Sequence, residues 1–312
     1  MEEASRREAP LGSSAFTQND CVLPRLEDHL AELRISLEVR TVYTDLDGTL
    51  LGRGGSLFAG PEGITREPAT AVAALAEAGV DLVLVSGRTR DQVRDAARIV
   101  GATAYIPEVG GLIVYREGSA ERVIRPTGVT RGRGTAYQAI ERSGAAGFLL
   151  EAYPDRLEPH APWAFLEREC SVLLRGFVDL QEARTRLGAA GYGWLDLLDN
   201  GIIPEGTARF PSLDVTEVHA YHLLPRGVSK GAAVALDRER RGLDKANCIA
   251  VGDSPSDVDM AEHVGAMFLV ANAGAVTREV SAPANVYVTA RPNGLGFADA
   301  VLPFVSNRAS RG

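Results

Sequence analysis

An apolar, β-branched run at residues 39–44 breaks off in Asp45-Leu46-Asp47-Gly48-Thr49-Leu50. That break constrains this chain more than any other feature. β-Branched residues favour a buried, pleated strand. Carboxylates at n and n+2 of a strand's end approach one point only where the backbone curls, and Gly48 permits the curl. Two neighbouring carboxylates repel unless a cation or a proton lies between them. Hard oxygen ligands suit Mg²⁺, an ion that keeps open positions for phosphate. A strand followed by an ordinary Asp/Gly turn fits the same residues, so the decision falls to the remainder of the chain.

With 312 residues, 45% of them apolar, the chain is long enough for one large core or two smaller ones. A net charge of −8 argues against general nucleic-acid binding and against an anionic membrane surface. A phosphate site would therefore need positive charge concentrated locally. Cys21, Cys170 and Cys248 are odd in number, far apart and without metal-ligand spacing, and read as reduced thiols of a cytoplasmic protein. No apolar run reaches membrane-spanning length, and the N-terminus lacks a signal-peptide apolar region. Residues 1–22 are polar and aperiodic, the composition of a disordered tail.

From residue 23 onward strands and helices alternate. Leu26, Leu30, Leu33 and Leu37 share one helical face over residues 24–37. A glycine-rich stretch at 52–63 reads as a flexible surface turn beside the first strand's end. An Ala-rich helix at 67–78 is closed by Gly79. A strand at 80–85 ends in Ser86-Gly87-Arg88, and Thr89 caps a helix at 90–100. Such alternation implies a parallel sheet, in which ligands collect beyond the strands' carboxyl ends. Ser86 is thereby expected to face Asp45. Two short strands flank residues 107–111, with Glu108 at a strand end.

Between about 119 and 222 the pattern changes. A strand at 122–124, a helix at 134–143, short strands around Phe148 and at 170–175, and a helix at 180–190 opened by Asp179 follow one another. Asn200-Gly201 between two apolar runs predicts a type I′ hairpin turn. This segment reads as a separate α+β domain inserted into a core made of residues 23–118 and 223–312. The parallel pattern then resumes. Ser229 caps a helix that carries Lys230 at its start, a strand at 247–251 ends in Gly252-Asp253-Ser254-Pro255-Ser256-Asp257, and a strand at 266–271 ends in Asn272. Val286 opens a last strand, and a helix at 295–305 follows.

Asp45-Leu46-Asp47-Gly48-Thr49, Val85-Ser86, Lys230 and Gly252-Asp253-Ser254-Pro255-Ser256-Asp257, in that order, resemble the four motifs of the haloacid dehalogenase superfamily of phosphotransferases. The insert resembles that superfamily's C2-type cap. Ser86-Gly87-Arg88, Gly252-Asp253-Ser254-Pro255 and Arg168-Glu169-Cys170-Ser171 are most similar to the mannosyl-3-phosphoglycerate and sucrose-phosphate phosphatase branch. Ser256 stands where that branch usually has Asn, and Val172-Leu173 where it usually has Glu-Pro.

The resemblance implies an α/β, Rossmann-like core and a phosphomonoester hydrolase acting on a phosphorylated sugar or sugar acid. It makes Asp45 the nucleophile that forms an aspartyl-phosphate and Asp47 the general acid/base. Asp45, Asp47 through its main-chain carbonyl, and Asp253 hold Mg²⁺, with Asp257 as a further ligand or behind them. Ser86 and Lys230 neutralise phosphoryl oxygens. Gly87, Arg88 and Asn272 are further candidates beside the substrate. In the cap, Arg168, Glu169 and Ser171 are the candidates for specificity. Arg131, Arg133, His160, His219 and His222 read as surface or interdomain residues. The expected partner is a small phosphorylated molecule, with neither nucleic acid nor membrane, and the chain a monomer or homodimer. Two other classes fit the pattern, a sugar phosphomutase using the same nucleophile and a non-catalytic binding protein of the same fold.

Overall fold

The computed structural model describes residues 23–126, 134–203, 207–274 and 283–305. The expected N-terminal tail, Cys21, Arg131 and Arg133 lie outside them. An eight-stranded sheet runs in the order Val286–Val288, Ala266–Leu269, Cys248–Gly252, Thr41–Thr44, Asp81–Val85, Ala104–Ile106, Ile113–Glu117, Ala120–Ile124. The first six strands are parallel, and the last two turn back antiparallel at one edge.

Strand alternation distributes side chains to two cores. Val42, Leu82 and Leu84 pack on one face, with Ile249 and Val251, under the helices Glu67–Glu77 and Asn293–Val305. Tyr43, Val83 and Val85 pack on the other, with Ala250, beside the helix Lys230–Arg240. With helices on both faces the central strands are buried throughout, hence their continuous apolar runs. Thr44 pairs with Val251 on one side and Leu84 on the other. Asp45, Ser86 and Asp253 therefore leave three neighbouring strands at one edge of the sheet.

A second, antiparallel sheet, in the order Leu195–Ile202, His219–Pro225, Val172–Gly176, Leu157–Pro159, packs on the helices Ala136–Ser143, Ala145–Ala152 and Leu180–Ala189 around its own core. Three expectations change here. The segment around Phe148 is helical, not a strand, because its Ala- and Leu-rich run faces that core at helical spacing. Asn200-Gly201 is no hairpin turn. The strand continues through it to Ile202 and pairs with His219–Pro225, with an irregularity that Gly201 absorbs at φ 105°. Finally, Ala120–Ile124 is the edge strand of the core sheet, paired with Ile113–Glu117, and residue 222 lies inside a strand of the second sheet. Of the expected limits of the insert, 119 thus falls in the turn between two strands of the core sheet and 222 inside a strand of the second sheet.

Among the described residues, no helix is long and apolar enough to cross a membrane. The glycine-rich stretch holds a short turn at Arg53–Gly55 and a small hairpin of Ala59–Gly60 with Gly63–Ile64.

Candidate active site

Lys230 is the first residue of its helix, whose N-terminus Ser229 caps by accepting the Ala232 N–H. Its buried ammonium donates to Asp45 Oδ1 at 2.8 Å and to Asp257 Oδ1 at 2.6 Å. One Asp45 oxygen is thus fixed. The two carboxylates hold the ammonium's pKa above its ordinary value, outweighing the effect of burial.

Asp257 is held through its other oxygen, which accepts the Asp253 and Ser254 N–H groups and the Ser254 hydroxyl. It thereby ties the Gly252–Asp257 loop to Lys230. Asp253 receives Thr49 Oγ1 at 3.2 Å and Asn272 Nδ2 at 3.1 Å. Asn272 also donates to the Gly48 carbonyl and accepts the Asn293 N–H, so it braces two loops of the site against each other. Gly48, at φ 85°, is required twice over, since a Cβ there would lie 2.0 Å from Asp253 Oδ2.

Oxygens of Asp45, Asp253 and Asp257 lie within 4.8 Å of one another. Burial, with Asp257 and Asp253 nearby, pushes the Asp45 carboxyl well above the usual range despite Lys230. Burial and Asp257 push Asp253 up to about 7. Clustered hard oxygens that resist simultaneous ionisation fit a bound divalent cation. Asp47 is separate from this cluster. It is half exposed and takes a two-pronged ion pair from Arg88, at 2.7 and 2.5 Å.

Ser86 is buried at the adjacent strand end; its hydroxyl accepts the Arg88 N–H and its carbonyl the Val109 N–H. Glu108 and Val109 adopt left-handed backbone, φ 52° and 50°, a conformation that is strained for a β-branched residue.

The expected specificity residues are engaged elsewhere. Arg168 is buried and donates to the Gly87 carbonyl at 2.9 Å and to the Ser171 carbonyl at 3.1 Å. Glu169 pairs with Arg90 and Arg125. The Glu108 carboxylate, fully buried, accepts the N–H groups of Glu169, Cys170 and Ser171 and the Ser171 hydroxyl. This four-residue stretch therefore fastens the insert to the core, and the carboxylate to which it is fastened, Glu108, is the residue the sequence marked only by its place at a strand end.

Two further residues of the insert lie over the loops that carry Gly87 and Ser256. Asn200 Oδ1 accepts from Ser256 Oγ at 2.9 Å, and a Cβ built on Gly87 would meet Asn200 Nδ2 at 2.7 Å and His222 Nε2 at 3.0 Å. Of the other histidines, His219 pairs with Asp199. Asn200 was masked by its Asn-Gly turn signal. His222 gave one signal, a polar residue at an otherwise apolar strand position.

Acidic strand ends on a parallel sheet and a buried lysine at a helix start thus meet at one edge of the core. The chain belongs to the haloacid dehalogenase-like hydrolase family, whose model matches residues 42–126 and 207–300. Among curated relatives it is similar to a phosphoglycolate phosphatase of Archaeoglobus fulgidus, 27% identical over 84% of this chain and 95% of that protein. It is also similar to one of Methanoculleus marisnigri, 29% identical over 88% and 100%. Its fold is shared by the sucrose-phosphatase of Synechocystis, solved with sucrose and phosphate, at a TM-score of 0.57, 15% identity and coverage of 86% and 98%. A haloacid dehalogenase-like hydrolase of Bacteroides thetaiotaomicron matches at a TM-score of 0.57, 16% identity, and coverage of 85% and 98%.

Proposed function

We propose that this protein is a Mg²⁺-dependent phosphomonoester hydrolase acting on a small phosphorylated sugar or sugar acid, of which mannosyl-3-phosphoglycerate is one example. The observation that carries the reading is the Asp45 carboxylate, held by Lys230 through Oδ1 and clustered with oxygens of Asp253 and Asp257.

In this reading the other Asp45 oxygen attacks phosphorus and the P–O bond to the leaving group breaks. Asp47, protonated once it leaves its ion pair with Arg88, gives that proton to the departing alkoxide. An aspartyl-phosphate results. Asp47 then takes a proton from water as that water attacks phosphorus, and Asp45 and inorganic phosphate are released. Lys230 and Ser86 carry charge on the phosphoryl oxygens. Asp45, Asp253 and the main-chain carbonyl of Asp47 would hold the cation, with Asp257 behind them. Bound there, Mg²⁺ would supply the countercharge without which phosphate could not approach these carboxylates.

The names of the curated relatives favour a second substrate, 2-phosphoglycolate. Phosphate release from sugar phosphates, phosphoglycerates and phosphoglycolate, with and without Mg²⁺, tests the reading. Release that needs Mg²⁺ supports it. Release that is equal in excess chelator, or no release from any ester, overturns it.

A further inference from the structure

The hydrogen bonds around Ser171 leave His222 one arrangement of its proton. Glu108 Oε2 already accepts the Cys170 and Ser171 N–H groups, at 3.0 and 2.9 Å, and Arg168 Nε lies 3.6 Å away. An ionised carboxylate only accepts, so the Ser171 hydroxyl, 3.1 Å from Oε2, must point its hydrogen there. Ser171 Oγ is then an acceptor toward its other neighbours, Arg168 Nη2 at 3.3 Å and His222 Nδ1 at 2.9 Å. His222 Nδ1 must therefore carry the hydrogen. In the neutral ring Nε2 is left as a bare lone pair.

Neutrality follows from the surroundings. His222 is 1% exposed, and burial, with Arg168, Lys230 and His160 around it, holds its pKa well below the ordinary value. Nε2 abuts Gly87, next to Ser86, and the Asn200 amide lies against the same glycine while its oxygen is tied to Ser256. Among the described residues, neither His222 Nε2 nor Asn200 Nδ2 has a hydrogen-bond partner. An acceptor and a donor thus stand side by side above the two loops between which a leaving group departs.

We infer that His222 and Asn200 are specificity residues that bind a hydroxyl of the leaving group, the hydroxyl donating to His222 Nε2 and accepting from Asn200 Nδ2. This rests on the phosphatase reading above and narrows it. A bare carboxylate has no hydrogen to offer Nε2, so an ester whose leaving group carries a hydroxyl is preferred to phosphoglycolate.

Two substrate pairs that differ by one hydroxyl test this: 2-phosphoglycerate against 2-phospholactate, and 3-phosphoglycerate against 3-phosphonooxypropanoate. With the full chain and Mg²⁺, kcat/KM should favour the hydroxylated member of at least one pair by roughly 10- to 100-fold. His222→Phe should bring that ratio close to one, and His222→Gln, which restores an acceptor, should recover part of it. Long-range ¹H–¹⁵N spectra of wild type, assigned by the His222→Gln spectrum, should show the Nδ1–H tautomer at neutral pH. No preference in either pair, a ratio unmoved in His222→Phe, or an Nε2–H or doubly protonated ring overturns the proposal. The spectrum reads the tautomer whether or not any ester is hydrolysed. Failure of the phosphatase reading, seen as no phosphate released from any ester, p-nitrophenyl phosphate included, is thereby kept distinct.

Discussion

Glu108 in the core holds Ser171 of the insert by both its groups, accepting the main-chain N–H at 2.9 Å and the hydroxyl at 3.1 Å. The same carboxylate takes two more N–H groups, and the turn that carries it is hydrogen-bonded to the Ser86-Gly87-Arg88 loop. The insert's position and the Ser86-Gly87-Arg88 loop are therefore coupled through the buried Glu108 side chain.

Glu108→Gln places an NH₂ group against donors and removes the charge facing Arg168. It should cost roughly 3 kcal/mol or more, as expected for breaking a buried charged network. Urea unfolding checks this. A midpoint equal to wild type would show that the latch contributes nothing to stability.

Arg168→Ala tests whether Arg168 serves the interface or the substrate. Its donors go to the Gly87 and Ser171 carbonyls, so its loss should loosen the interface and lower kcat/KM for all esters by a similar factor. Kinetics on a sugar phosphate and on p-nitrophenyl phosphate check it. A loss confined to the sugar phosphate would return Arg168 to the substrate.

His219 makes stability depend on pH. Its Nδ1 lies 2.6 Å from Asp199 Oδ2, and although burial opposes protonation, Asp199 and Glu217 raise its pKa above the ordinary 6.5. A raised histidine pKa stabilises the fold fully below the unfolded-state value, and that contribution disappears as pH climbs through the folded-state value. Asp199→Asn should accordingly lower the melting temperature more at pH 5.5 than at pH 9. An equal drop at both values contradicts the pair's assignment.

The divalent cation is tested by its removal. Dialysis against chelator should abolish phosphate release and Mg²⁺ should restore it, because the Asp45–Asp253–Asp257 cluster repels an uncompensated phosphate. Full activity in excess chelator contradicts that role.

The strand-end carboxylates and Lys230 were legible in the sequence because each motif is local, a strand's apolar run followed by a turn that the parallel topology then places at one edge. The contacts across the interface were not legible. Glu108 meets Ser171, and Ser256 meets Asn200, across 63 and 56 residues respectively, and no periodicity or spacing encodes such a meeting. Arg168 and Glu169 looked like free polar groups in the sequence because burial against Gly87 and Arg90 is a tertiary fact. Asn200-Gly201 carried a strong local turn signal that pairing with His219–Pro225 overrode.

If Asp45 is the nucleophile, Asp45→Asn removes the reacting group itself. The amide keeps the shape and still accepts from Lys230 through its oxygen, so the variant should fold, as near-wild-type circular dichroism would verify. Phosphate release in saturating Mg²⁺ should fall by roughly 10⁴-fold or more. Turnover within about tenfold of wild type would place the nucleophile elsewhere.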